Sequence, residues 1–202
     1  MLGDANKLAW AMAEVGGYSC FLSPRAPKNY QGATDDGYVV GEPGSDRLLI
    51  PHPTRNLEVF NKPLALKKAF LEKVHQVSKH MKGNDILFVG ISSHGRENDG
   101  AAVVGDFYAP HLGQAFISTK EFGDAISSKL ASTHVVLWVS TGFWVQGDWE
   151  TLAAAGTKQE SQSFPKSPSG YYRGGLHDFS TFIAHGRNSG VTYPFRAGPG
   201  LH

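Results

Sequence analysis

Two apolar runs constrain this chain more than any other feature. Ile86–Ile91 and Val135–Val139 are nearly continuous stretches of aliphatic and aromatic residues. Short runs of this kind, bounded by turn residues, fit strands of a parallel sheet covered on both faces. The first gives way to His94-Gly95 and the second to Ser140, Thr141 and Gly142. Open α/β sheets place their ligands outside the carboxyl ends of strands. A site is therefore expected where these two runs stop.

The segments around them read as helices. Pro63 suits a first helical turn, and Leu66, Phe70, Val74, Val77 and Met81 form one stripe, which predicts a helix from Pro63 to Met81. Lys82-Gly83 suits its end. Ser118 and Glu121 match a capping box, with Phe122, Ile126 and Leu130 as the apolar stripe behind it. An earlier helix is expected over Asp4–Val15, stopped by Gly16-Gly17, and a short strand over Tyr18–Leu22. Residues 24–56 are rich in Pro, Gly, Asp and Asn. Their apolar pieces, Tyr38-Val39-Val40 and Leu48-Leu49-Ile50, fit a surface excursion or a small hairpin. Ala101–Val104 reads as a short strand, residues 156–175 as a mobile loop and Leu176–Ala184 as a last helix. This rhythm implies an α/β sheet layered by helices.

Composition narrows the function classes. A chain of 202 residues with 41% hydrophobic side chains is expected to be a single domain with a real core. Its 19 basic and 18 acidic residues balance to a net charge of +1, which gives no footprint for nucleic acid or an anionic membrane. No apolar run approaches the ~20 residues needed to span a bilayer. The first residues read as a helix rather than a secretory signal, and Cys20 is the only cysteine, so a cytoplasmic location is the expectation. The nine histidines show no His-Glu-x-x-His pattern, and a structural zinc would usually add cysteines, so no metal or cofactor is expected. Asp35, Asp36, Glu97 and Asp99 read as turn and surface carboxylates. His75 and His80 read as helix-surface residues. His185-Gly186-Arg187 follows a helix-like segment and reads as a helix end.

The order of these pieces resembles the caspase-like fold of caspases, metacaspases and legumains. Ser93-His94-Gly95, followed by Gly100, Val104, Gly105 and Asp106, is similar to the block around that family's catalytic histidine. Thr133–Gly142 resembles the strand leading to its cysteine nucleophile. Gly142-Phe143 with Gly147-Asp148-Trp149 resembles the motif after it, with one extra residue before Gly147. Leu2–Asn6 is similar to the segment after the family's first strand. His94 and Gly142 are 48 positions apart (142 − 94), near the ~50 typical of caspases. The likeness covers about residues 1–150. It implies a three-layer fold, a mostly parallel sheet with helices on both faces. It also implies a histidine base at His94 and, through the backbone N–H of Gly95, part of an oxyanion hole.

Two departures reshape that expectation. Gly142 stands where the cysteine belongs, and a hydrogen atom cannot attack a carbonyl. Ser140 and Thr141 are weak substitutes. If Gly142 holds the nucleophile position, Thr141 points to the opposite face and Ser140 lies deeper in the sheet. Cys20, on an early strand, reads as a small buried apolar side chain. The family's first strand also has no counterpart before the Asp4–Val15 helix. Either another segment fills its place, with Val191-Thr192-Tyr193 as a candidate weakened by Pro194, or an open sheet edge invites a second copy and a homodimer.

The resulting expectation is a pseudo-peptidase whose cleft at His94 and Gly142 binds a peptide, a protein partner or a small molecule without cysteine-peptidase chemistry. Trp138, Phe143, Trp144 and Trp149 would serve as core and cover, or as the walls of an apolar pocket. An enzyme using His94 as general acid/base on a small molecule is the alternative. A Cys-to-Gly inactive form of an ordinary caspase-like peptidase is the third reading.

Overall fold

The structure is a computed structural model. It describes residues 18–30, 33–42, 45–52, 56–82, 85–96, 98–105, 111, 113–126, 135–139, 150–153 and 168–169. Helices and strands are mixed among them, so the chain is an α/β protein. It divides into two units: residues 1–21, 26–57 and 161–202 form the first, and 22–25 with 58–160 the second. The helices expected over Asp4–Val15 and Leu176–Ala184 lie outside the described residues, as do Val191–Tyr193 and nearly all of the loop expected over 156–175.

In the first unit, β2 (Gly37–Glu42) and β3 (Ser45–Pro51) form an antiparallel hairpin. Tyr38, Val39 and Val40 stand opposite Ile50, Leu49 and Leu48. The two apolar pieces noted in the sequence therefore pair with each other. A register shift between Val40 and Glu42 marks a bulge before the turn. Ile50 is buried and Leu49, on the alternate face, is exposed, as the twofold period of a strand requires. Before the hairpin comes a short 3-10 turn at Pro27–Asn29. Two short strands, β1 (Phe21–Ser23) and β4 (Leu57–Val59), pair with each other, and Leu22, Ser23, Glu58 and Val59 of them belong to the second unit.

The second unit carries a parallel sheet. In it β5 (Leu87–Ile91), β8 (Val135–Val139) and β9 (Glu150–Ala153) lie side by side in the order β5-β8-β9, all parallel. Leu87 stands opposite Val135 and Ile91 opposite Val139. Between β5 and β8 the chain makes a second, antiparallel sheet from β6 (Ala102–Val104) and β7 (Ala115–Ile117). Among the described residues the unit also holds two helices, α1 (Pro63–His80) and α2 (Thr119–Ala125).

The core follows the predicted stripe. Leu66 and Val74 of α1 pack with Leu87 and Val89 of β5, Val104, Ile117, and Phe122 and Ala125 of α2. Phe70, Val77 and Met81 lie half-buried against this cluster. Phe70 and Phe122 stack with ring centroids 6.4 Å apart. The capping box forms as expected: Ser118 Oγ accepts from the Glu121 N–H, and Glu121 returns the bond to the Ser118 N–H. Lys67 of α1 pairs with Glu121, which fastens the start of α2 to α1. That lysine and the Ser118 N–H hold the Glu121 carboxyl down at about 2.

Several boundaries differ from expectation. Ile86 is exposed and β5 begins one residue later. The first long helix stops at His80 because Met81 turns to extended backbone, so no glycine cap is used. After it the Lys82 N–H donates to Asp85 Oδ2 at 2.8 Å. The second helix ends at Ala125, a turn short of Leu130, which lies outside the described residues. Coverage of β5 is uneven: Leu87 and Val89 are buried, Phe88 and Ile91 half-buried and Gly90 exposed. The described helices pack on the Leu87–Val89 face.

Candidate functional site

The strand β5 delivers its chain directly into a tight hairpin. Residues 94–96 run antiparallel to 101–103, with Gly95 bridged to Ala102. The Val103 N–H donates to the His94 carbonyl at 2.8 Å, and the Arg96 N–H donates to the Ala101 carbonyl at 2.7 Å. The turn closes through the Gly100 N–H, which donates to the Arg96 carbonyl at 2.7 Å. Gly100 has a φ of 68°, a left-handed conformation that suits glycine. Asp99 Oδ1 accepts from the Ala101 N–H at 3.1 Å and so tightens the turn from within.

This hydrogen-bond register fixes the direction of one amide. The two ladder bonds flank Gly95 and Ala102 rather than joining them, so Gly95 is a non-hydrogen-bonded member of the pair. Its N–H and carbonyl therefore face away from β6. An outward backbone N–H beside a histidine at a strand's carboxyl end can receive a carbonyl oxygen or an anion.

His94 is half-buried. Burial lowers its pKa from the ordinary 6.5, because removal from water disfavours the charged ring. The shift favours the neutral imidazole. Ser93, just before it, donates its hydroxyl to the Val103 carbonyl and ties the same stretch to β6.

Beyond Gly95, Arg96 makes two contacts that spacing along the sequence does not reveal. Its guanidinium grips the Asp99 carboxylate in a forked pair, with Nε at 2.8 Å from Oδ1 and the second nitrogen on Oδ2. It also lies over the Phe116 ring of β7, 4.3 Å from the ring centre. The arginine holds the Asp99 carboxyl down at about 2. The Asp99-Gly100 turn signal, followed by Ala101–Val104, was the available clue that residues 94–96 had a strand partner.

The other expected site residues divide. Ser140, Thr141 and Gly142 follow β8 directly and lie outside the described residues, as do Phe143, Trp144 and Trp149. Cys20 is half-buried and precedes β1 rather than lying within it. His75 Nδ1 donates to the Ala125 carbonyl at 3.2 Å, and His80 Nδ1 donates to the Gln76 carbonyl within its own helix. Both histidines are exposed and serve helix ends. Among the described residues no group of histidine, cysteine and carboxylate side chains could hold a metal ion, and no helix is long and apolar enough to cross a membrane. No family model, curated protein or solved structure matches the chain.

Proposed function

We propose that this chain is a caspase-like pseudo-peptidase, a three-layer domain whose cleft at His94 and Gly142 binds a peptide without cleaving it. One observation carries the reading. The strands β5 and β8 are adjacent, parallel and in register, with Ile91 opposite Val139. His94 comes three residues after Ile91 (94 − 91) and Gly142 three after Val139 (142 − 139). The two positions are thus equally far in sequence from a paired position of the sheet. The hairpin after His94 and the outward amide of Gly95 support a site that receives a carbonyl oxygen. Gly142 offers no atom that could form an acyl-enzyme, which supports binding over proteolysis.

Restoring a thiol tests the cleft. In a Cys20→Ser background, a thiol introduced by Gly142→Cys should titrate below the ordinary ~8.5 and react at pH 7 roughly tenfold faster than a free one. Adding His94→Ala should remove that advantage. Identical alkylation profiles with and without His94 would sink the reading. Binding is then tested on the native chain with a peptide library, read by changes in the His94 ring resonances. Failure of every peptide to perturb them would leave the second reading. That reading, general acid/base action of His94 on a small molecule, is favoured by the ring's burial and lowered pKa. Turnover of such a substrate undiminished by His94→Ala would exclude it.

A further inference from the structure

The ladder bonds of the His94-Gly95 dipeptide run to β6. The residues at either end add further ties. Ser93 ties the leading end to β6 through the Val103 carbonyl. Arg96 ties the trailing end to two places at once: the turn, through Asp99, and β7, through Phe116. The aspartate is itself fixed by the Ala101 N–H. A forked guanidinium–carboxylate pair is directional as well as attractive, and a ring beneath it restricts the remaining freedom.

We propose that Arg96 is a positioning residue: clamped between Asp99 and Phe116, it sets the direction in which the Gly95 amide and the His94 ring face a ligand. The inference rests on the cleft reading above. The Arg96 side chain is 40% exposed and Asp99 45%, so the pair contributes little to global stability. Its effect is local. Lysine would keep the charge but lose the fork, so Arg96→Lys should rescue only part of the function.

The test uses the full chain carrying Cys20→Ser and Gly142→Cys, with iodoacetamide as the probe. Alkylation rate is measured against pH, and the thermal midpoint is recorded beside it. Arg96→Ala should slow alkylation at pH 7 by about threefold, a part of the roughly tenfold advantage expected from His94. Asp99→Asn, which leaves the arginine but breaks the fork, should act in the same direction, and Arg96→Lys should fall between Arg96→Ala and the parent. The midpoint should move by no more than ~2 °C in each. If Arg96→Ala and Asp99→Asn keep the parent profile while His94→Ala loses it, the cleft stands and the clamp is overturned. If His94→Ala also matches the parent, the cleft reading fails and the clamp fails with it.

Discussion

Around Phe122 the second unit is held by apolar area, whereas around His94 it is held by hydrogen bonds and one ion pair. Phe122 is fully buried among Leu66, Val74, Ile117 and Ala125. The 93–103 hairpin, by contrast, is buried only at Gly100–Ala102; its 93–96 arm is half-buried and is joined by backbone bonds, the Ser93 hydroxyl and the Arg96–Asp99 fork. Apolar packing is nearly indifferent to pH and tolerant of direction. Polar contacts are directional and depend on protonation. The site is thus aimed by forces different from those that keep the unit folded.

Three measurements break or sharpen that contrast. Phe122→Ala should cost the most, about 3–5 kcal/mol, since it empties the best-packed position of the core. Chemical denaturation measures this, and a loss under about 1 kcal/mol would show that the apolar half is not the principal support. Ser118→Ala should cost about 1 kcal/mol by removing a cap that holds the start of α2. The smallest effect is a slope. The folded chain declines a proton at His94 that the unfolded chain takes up near 6.5. Stability from this source is full above that value and falls as pH drops through it toward the lower folded pKa. Glu121 and Asp99, both held at about 2, add stability that is present above the ordinary carboxylate range and lost as pH falls toward 2. His94→Gln should flatten the first window and leave the second. Equal slopes in parent and variant between pH 5 and 7 would place the ring in ordinary solvent.

Much of the architecture could be read from residue pattern. The stripe from Leu66 to Met81, the Ser118–Glu121 box and the two apolar runs each make a local signal strong enough to survive folding. Three strands escaped. Leu57–Val59 and Ala115–Ile117 are too short for an alternation to show, and Glu150–Ala153 is a four-residue stretch without an apolar run. In the site, His94 was visible from its place beyond a strand. The direction of the Gly95 amide was not, since it depends on which residues of the 101–103 strand bond to it. Nor was the Arg96–Phe116 contact, which joins positions 20 apart (116 − 96) through the pairing of β6 with β7. Gly105 shows the same limit. Its φ of 121° and the Pro63 ring, 2.9 Å from where a Cβ would stand, make glycine necessary there, but only the folded chain brings Pro63 near.

The parallel pairing of β5 with β8 has a kinetic consequence. Leu87 and its partner Val135 are 48 residues apart (135 − 87), whereas the 94–103 hairpin and α1 are made of near neighbours. Closing the longer loop sacrifices chain entropy before any ladder bond rewards it, so the hairpin should form early and the sheet that brings the ends of β5 and β8 side by side should form late. During refolding, the Arg96–Asp99 pair would be assembled before β5 and β8 lie side by side.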